Sequence, residues 1–245
     1  MLSVGLLGPL SVFVDGSPVS LSAGRLRVLL AMLALSAGQV VSVERLATAV
    51  WADERAPGNV RRSVQTYVAR LRGALGAEWI GSGPIGYVLH VDPEHVDVLR
   101  FVRVLSEASS ASGTADERAR LVEALDLWRG RPLEGVPSRW LQEAERPWLV
   151  ERYLAALERR VDLDVRAGRH GELVVELSEL TARYPLRESL WARLLVALCR
   201  SGRQADALAR YEEVRARIAA ELGTDPHPAL KRIHADLLAM RAPSL

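Results

Sequence analysis

Cysteine, lysine and phenylalanine are nearly missing from this chain. The single cysteine, Cys199, excludes an internal disulfide and fits a reducing compartment. It lies in the apolar run L-L-V-A-L-C and reads as a packing residue. The single lysine, Lys231, stands in A-L-K-R-I with no glycine-rich loop before it, which excludes a P-loop. The histidines (His90, His95, His170, His227, His234) show no H-E-x-x-H spacing, and with one cysteine they form no zinc constellation. No G-x-S-x-G elbow occurs. The many carboxylates fall on helical surfaces, where a solvated face explains them. Arginine interrupts every apolar run before it reaches the length of a membrane span. The start, M-L-S-V-G-L-L-G-P-L, lacks the basic residues and cleavage site of a signal peptide. These absences argue against an enzyme, a cofactor, a bound metal and a membrane, and they imply a soluble, cytoplasmic protein.

What is present is a chain of 245 residues, 49% hydrophobic and 25% charged, enough to bury one large core or two ordinary ones. Net charge is only +2, so a nucleic-acid signal has to be local. It is local: residues 20 to 77 hold eight arginines against Glu44, Asp53 and Glu54, and 8 − 3 = +5.

Within that stretch, Asn59 to Leu75 carries an apolar stripe. Val60, Val64, Val68, Leu71 and Leu75 recur at the spacing of one helical face. The opposite side holds Asn59, Arg62, Thr66 and Ala69, flanked by Arg61, Gln65, Arg70 and Arg72, with no acid among them. Arg, Asn, Gln and Thr are the side chains that read base edges in a major groove. Taken alone, the pattern fits a recognition helix and a solvated helix face equally well.

Chain order separates the two. Short β-rich runs, S-V-G-L-L, S-V-F-V and P-V-S-L, are punctuated by Gly8-Pro9 and by the hairpin signal Asp15-Gly16. A helix over Gly24 to Ala37 follows, with Leu26, Leu29, Leu30, Met32 and Leu33 facing a core. Ser42 caps a short helix that buries Leu46, Val50 and Trp51, and a polar loop from Asp53 to Gly58 leads into the helix described above. After Gly76 comes E-W-I-G-S-G-P-I-G-Y-V-L-H-V, a strand, a glycine-rich turn and a strand. The G-x-G-x-x-G match at 81–86 inside it is a false positive, because it leads into a strand and contains Pro84. Strands, three helices and a closing hairpin predict a winged helix-turn-helix of the response-regulator (PhoB/OmpR-like) type over residues 1–93.

From Val96 onwards the pattern is helical. Trp128 in W-R-G-R fits a plug between two domains, and Gly223 a helix C-cap ahead of Pro226. A-G-R-H-G-E-L at 167–173 returns as S-G-R-Q-A-D-A at 201–207, and 202 − 168 = 34, the tetratricopeptide period. Trp191, Leu194, Leu195, Leu198, Ala207, Tyr211 and Val214 keep that repeat's offsets, as do Leu157, Leu173, Leu177, Leu180 and Pro185 in the unit before. The fold class expected is therefore mainly α: a winged helix-turn-helix, then an all-α tetratricopeptide-like domain over residues 94–245.

L-L-G-P-L-x-V, L-R-V-L-L-A-M-L-A-L, V-V-S-V-E-R-L-A-T-A-V-W, N-V-R-R-S-V-Q-T-Y-V-A-R-L-R-G-A-L and G-Y-V-L together resemble the N-terminal half of the streptomycete antibiotic regulatory proteins. D-V-L-R-F, A-L-D-L-W-R-G-R-P-L, Y-P-L-R-E-S-L-W, S-G-R-Q-A-D-A-L-A-R-Y and A-E-L-G-T-D-P-H-P-A-L resemble that family's bacterial transcriptional activation domain. The resemblance implies an activator of secondary-metabolite genes. It would bind direct repeats in double-stranded DNA as side-by-side protomers and recruit RNA polymerase. It implies that Arg62, Gln65, Thr66 and Arg70 touch base edges, that Asn59, Arg61 and Arg72 hold phosphates, and that Ser82 and Tyr87 of the hairpin join the DNA-binding set. Asp53, Glu54 and Arg55 become the contacts for the polymerase sigma factor. The wing departs from the family pattern, since Ile80 to Ile85 offers no Arg or Lys. The nucleotide-hydrolysing, sensor and phosphoacceptor domains of longer relatives are missing from these residues, so control is expected through abundance or an unidentified ligand. The competing readings are a repeat scaffold for peptide partners and a ligand-gated regulator.

Overall fold

The computed structural model describes residues 1–52, 54–241 and 243. The chain forms two compact units, Met1–Ala156 and Leu157–Leu245. The functional division expected after residue 93 falls inside the first. Among the described residues, no helix is long and apolar enough to cross a membrane.

The first unit opens with an antiparallel sheet, β1 (Leu2–Gly5), β2 (Ser11–Val14) and β3 (Ser17–Pro18), in that order. Asp15 and Gly16 both take positive φ, 49° and 79°, as the tight turn needs if it is to match the strand twist. Two of the expected strands come out shorter. β1 stops at Gly5 because the next two amides are used elsewhere: Leu6 and Leu7 donate to the Asp97 carboxylate at 2.7 and 2.9 Å. β3 stops at Pro18, and Val19 adds one further bond to the Val12 carbonyl.

Helix α1 (Gly24–Leu35) buries the expected leucines and Met32, but also Val28, Ala31 and Ala34. It is a central helix, with later helices and a strand of this unit packed around it. After β4 (Val41–Ser42), Ser42 caps α2 (Val43–Val50) by accepting from the Arg45 amide. Helix α3 (Val60–Leu75) buries Val64, Val68, Leu71 and Leu75, with Val60 half-buried. Strands β5 (Ile80–Ser82) and β6 (Gly86–Leu89) form the hairpin, and β4 joins them in the order β4-β6-β5. A Cβ on Gly86 would lie 1.9 Å from the Val41 carbonyl oxygen, so only glycine lets β4 cross there.

Helices α4 (Asp97–Ser109), α5 (Thr114–Asp126), α6 (Arg139–Ala144) and the start of α7 (Arg146–Arg166) complete this unit. Trp128 packs against a core that residues on both sides of position 93 share within the first unit. Its ring lies edge-on to Phe101 at 5.6 Å and 4.4 Å from Tyr153, all within the first. The buried Ser138 hydroxyl donates to the Ala49 carbonyl at 2.7 Å, fixing the start of α6 to the end of α2.

In the second unit, α8 (His170–Arg183), α9 (Glu188–Arg200), α10 (Gln204–Leu222) and α11 (Pro228–Leu238) follow the end of α7. The expected repeat is visible in its turns. Gly168 and Gly202 both take positive φ, 81° and 76°. The bonds Gly168 N to Val165 O and Arg169 N to Asp164 O recur as Gly202 N to Cys199 O and Arg203 N to Leu198 O. Each pair is displaced by 34 residues, as in 199 − 165. Trp191, Leu194, Leu195, Leu198, Ala207, Tyr211 and Val214 are all buried. Gly223 ends α10 in the left-handed conformation, and Pro226 precedes α11, which Pro228 opens. Arg193 pairs with Asp162 at 2.8 Å and Glu158 at 3.2 Å, tying α9 to α7.

Asp97→Ala removes the acceptor of two amides and of Arg129, which donates to the same carboxylate at 3.0 Å. The expected loss is about 2–4 kcal/mol in chemical denaturation of the full chain. An unchanged midpoint would show that water replaces the carboxylate there.

Candidate nucleic-acid interface

The burial of Val64, Val68 and Leu71 leaves only one way for α3 to face. Arg61, Arg62, Gln65, Thr66 and Arg70 are all exposed, and no acid lies between Arg55 and Ala77. Some of the polar atoms are committed to the helix. The Asn59 side-chain oxygen accepts from the Arg62 amide at 2.9 Å, capping α3 and leaving its NH2 group to donate outward. The Thr66 hydroxyl donates to the Arg62 carbonyl at 3.0 Å and keeps its lone pairs for a donor. The guanidinium groups of Arg61, Arg62 and Arg70 lie on the open face. Glu44, in the first turn of α2, is held below the ordinary carboxylate range by its own backbone amide, the Ser42 hydroxyl and, more weakly, Arg61.

Arg72 is placed differently. It is half-buried, its Nε and Nη2 donate to the Ile80 carbonyl at 3.0 and 2.6 Å, and Nη2 also reaches the Ser82 hydroxyl at 2.8 Å. It fastens the hairpin to α3. Ser82 is exposed beside it, whereas Tyr87 is 8% exposed and belongs to the core. At the far end of the hairpin, Gly83 donates to the Gly86 carbonyl at 2.8 Å and Val43 to the Ile85 carbonyl at 3.0 Å. The wing is thus bonded to α3 at one end and to the start of α2 at the other. Its tip is uncharged, with Ile85 and Val40 exposed.

Asp53 lies outside the described residues, while Glu54 and Arg55 are exposed on the loop between α2 and α3. Glu54 forms an ion pair with Arg25 of α1. Arg25 also donates to the Tyr67 hydroxyl at 3.0 Å, and the ring of Tyr67 lies 6.0 Å from that of Trp51. The Tyr67 hydroxyl first, and Glu54 next, raise the Arg25 pKa above the ordinary arginine value. Sequence reading did not single out Arg25 or Tyr67. They meet across 42 positions, and no local spacing signals such a contact.

Several arginines and an amide on an acid-free convex face, beside a braced neutral hairpin, suit binding to a polyanion whose groove admits a helix. Comparison with known proteins agrees with that geometry. The model of the bacterial transcriptional activator domain matches residues 96–238, and that of the C-terminal domain of transcriptional regulatory proteins matches residues 16–89. Regulatory protein DnrI of Streptomyces peucetius is 38% identical, over 97% of this chain and 93% of its own. Regulatory protein AfsR of Streptomyces coelicolor is 39% identical over 97% of this chain, which spans only 24% of that protein. A solved structure, Mycobacterium tuberculosis EmbR in complex with a low-affinity phosphopeptide, superposes with a TM-score of 0.88 at 31% identity. The match covers 99% of this chain and 66% of that one, and the phosphopeptide is a property of that protein.

Arg72→Ala frees the Ile80 carbonyl and the first strand of the hairpin. Amide exchange of residues 80–89 is expected to accelerate well beyond that of α1, with a stability loss of about 1–3 kcal/mol. Equal protection of the hairpin in wild type and variant would remove Arg72 from this role.

Proposed function

Because the chain belongs to the streptomycete antibiotic regulatory protein family and is a transcriptional regulator, we propose that it is a sequence-specific DNA-binding activator of secondary-metabolite genes. Residues 1–93 read the DNA and residues 94–245 form the activation domain. Helix α3 enters the major groove, with Arg62, Gln65, Thr66 and Arg70 on base edges and Asn59 and Arg61 on phosphates. Arg72 and Ser82 serve through the wing they join, and Tyr87 supports that wing from the core. Two protomers bind side by side on direct repeats one helical turn apart, which places both α3 helices on the same DNA face. The loop from residue 53 to residue 58, with Asp53, Glu54 and Arg55, contacts the sigma factor of RNA polymerase.

The observation that carries this reading is the acid-free outer face of α3 beside a hairpin bonded to the same helix. Its test is footprinting of the purified protein on promoters next to its own gene, followed by titration in salt. Affinity should fall by about 0.9 log unit per neutralised phosphate for each log unit of salt. Arg62→Ala or Arg70→Ala should cost about 1–3 kcal/mol on the preferred site and relax its specificity. A promoter fragment that binds no better than random DNA, with both variants unchanged, would refute the proposal.

A further inference from the structure

Arg27 has no role in any of the above. It stands on α1, two residues after Arg25. Its Nε is buried without a hydrogen-bond partner, and among the described residues it forms no ion pair. It lines a cavity of about 300 Å³ in the first unit, between β2, α1 and the segment after α5. Leu10, Val12, Val19 and Leu21 form the apolar part of the wall, and Glu134 stands at the exposed edge. The frame is fixed by backbone bonds, since Leu10 donates to the Glu134 carbonyl at 2.9 Å and Glu134 donates to the Gly8 carbonyl. Arg27 Nη1 lies 3.8 Å from where a Cβ on Gly135 would sit, so the absence of a side chain at Gly135 keeps the space beside the guanidinium open.

A guanidinium with unused donors in a partly apolar cavity calls for a carboxylate, which can take two of them at once. Glu134, exposed at the rim of the same cavity, offers a carboxylate to a cationic or hydroxyl donor there. The volume is at the lower end of ligand pockets and suits a molecule of amino-acid size. The geometry points to a binding site for a small apolar amino acid, or a zwitterion like it. Its carboxylate rests on Arg27, its ammonium on Glu134 and its side chain on Leu10, Val12, Val19 and Leu21. Such a ligand touches β2, α1 and the segment around Gly135 together, so occupancy stabilises the first unit by mass action.

The test uses the full chain and L-leucine, followed by saturation-transfer NMR and thermal unfolding. Saturable binding by ~10 mM and a rise in Tm are expected. L-leucinamide, which lacks the carboxylate, should bind about tenfold more weakly or worse, and 4-methylpentanoate, which lacks the ammonium, should lose several-fold. Inorganic phosphate should not displace leucine. Arg27→Gln should abolish binding. Glu134→Gln, at an exposed position where folding is not at issue, should weaken leucine but leave 4-methylpentanoate unchanged. No saturable binding, leucinamide binding as tightly as leucine, or indifference to Glu134→Gln would each overturn the assignment. Displacement by phosphate would overturn it too, leaving a general anion site at Arg27.

Discussion

The carboxylate of Asp97 is the tie on which the first unit depends. It is the first residue of α4, yet two of its three partners are the amides where β1 leaves the sheet, and the third is Arg129 beyond α5. A carboxylate at a helix N-terminus is favoured by the helix dipole, and charge-assisted bonds from two amides and a guanidinium use its remaining acceptor capacity. One side chain therefore decides where the N-terminal sheet stops and where the helices after the hairpin begin. The compact unit runs to Ala156, well past the last strand, with a core that the strands and the later helices share.

The same economy shapes the outer face of α3. Helix α3 has a narrow apolar stripe and spends none of Arg61, Arg62 or Arg70 on an internal partner that the structure records. Arg72, two residues after Arg70 and so on the other side of the helix, turns inward and holds the hairpin. Position around the helix separates these roles, although the residue type is the same.

Much of this was legible beforehand. The stripe of α3, the Ser42 cap, the Asp15-Gly16 turn and the tetratricopeptide spacing are local patterns, and local hydrogen bonding and burial realise each of them. What escaped was non-local. Periodicity cannot tell that Val28 and Ala31 of α1 are buried as well as its leucines, because that depends on what surrounds the helix. Neither the inward turn of Arg72 nor the placement of Tyr87 in the core could be read from a side chain's identity, since both require the hairpin to be folded against α3. The Arg25–Tyr67 contact and the Asp97 junction join residues far apart in the chain, and no spacing rule reaches them.

The stitching of the N-terminus also sets an order of assembly. Leu133 donates to the Leu6 carbonyl, Arg129 to Leu7, and Leu10 to Glu134, so the segment after β1 finds its partners more than a hundred residues later. During synthesis the emerging strands can pair with one another, but they cannot be locked until the ribosome has released that later segment. A nascent chain truncated after the hairpin would therefore leave the segment from Leu6 to Leu10 without these backbone partners. The winged part of the chain is finished only when the helices that follow it have arrived.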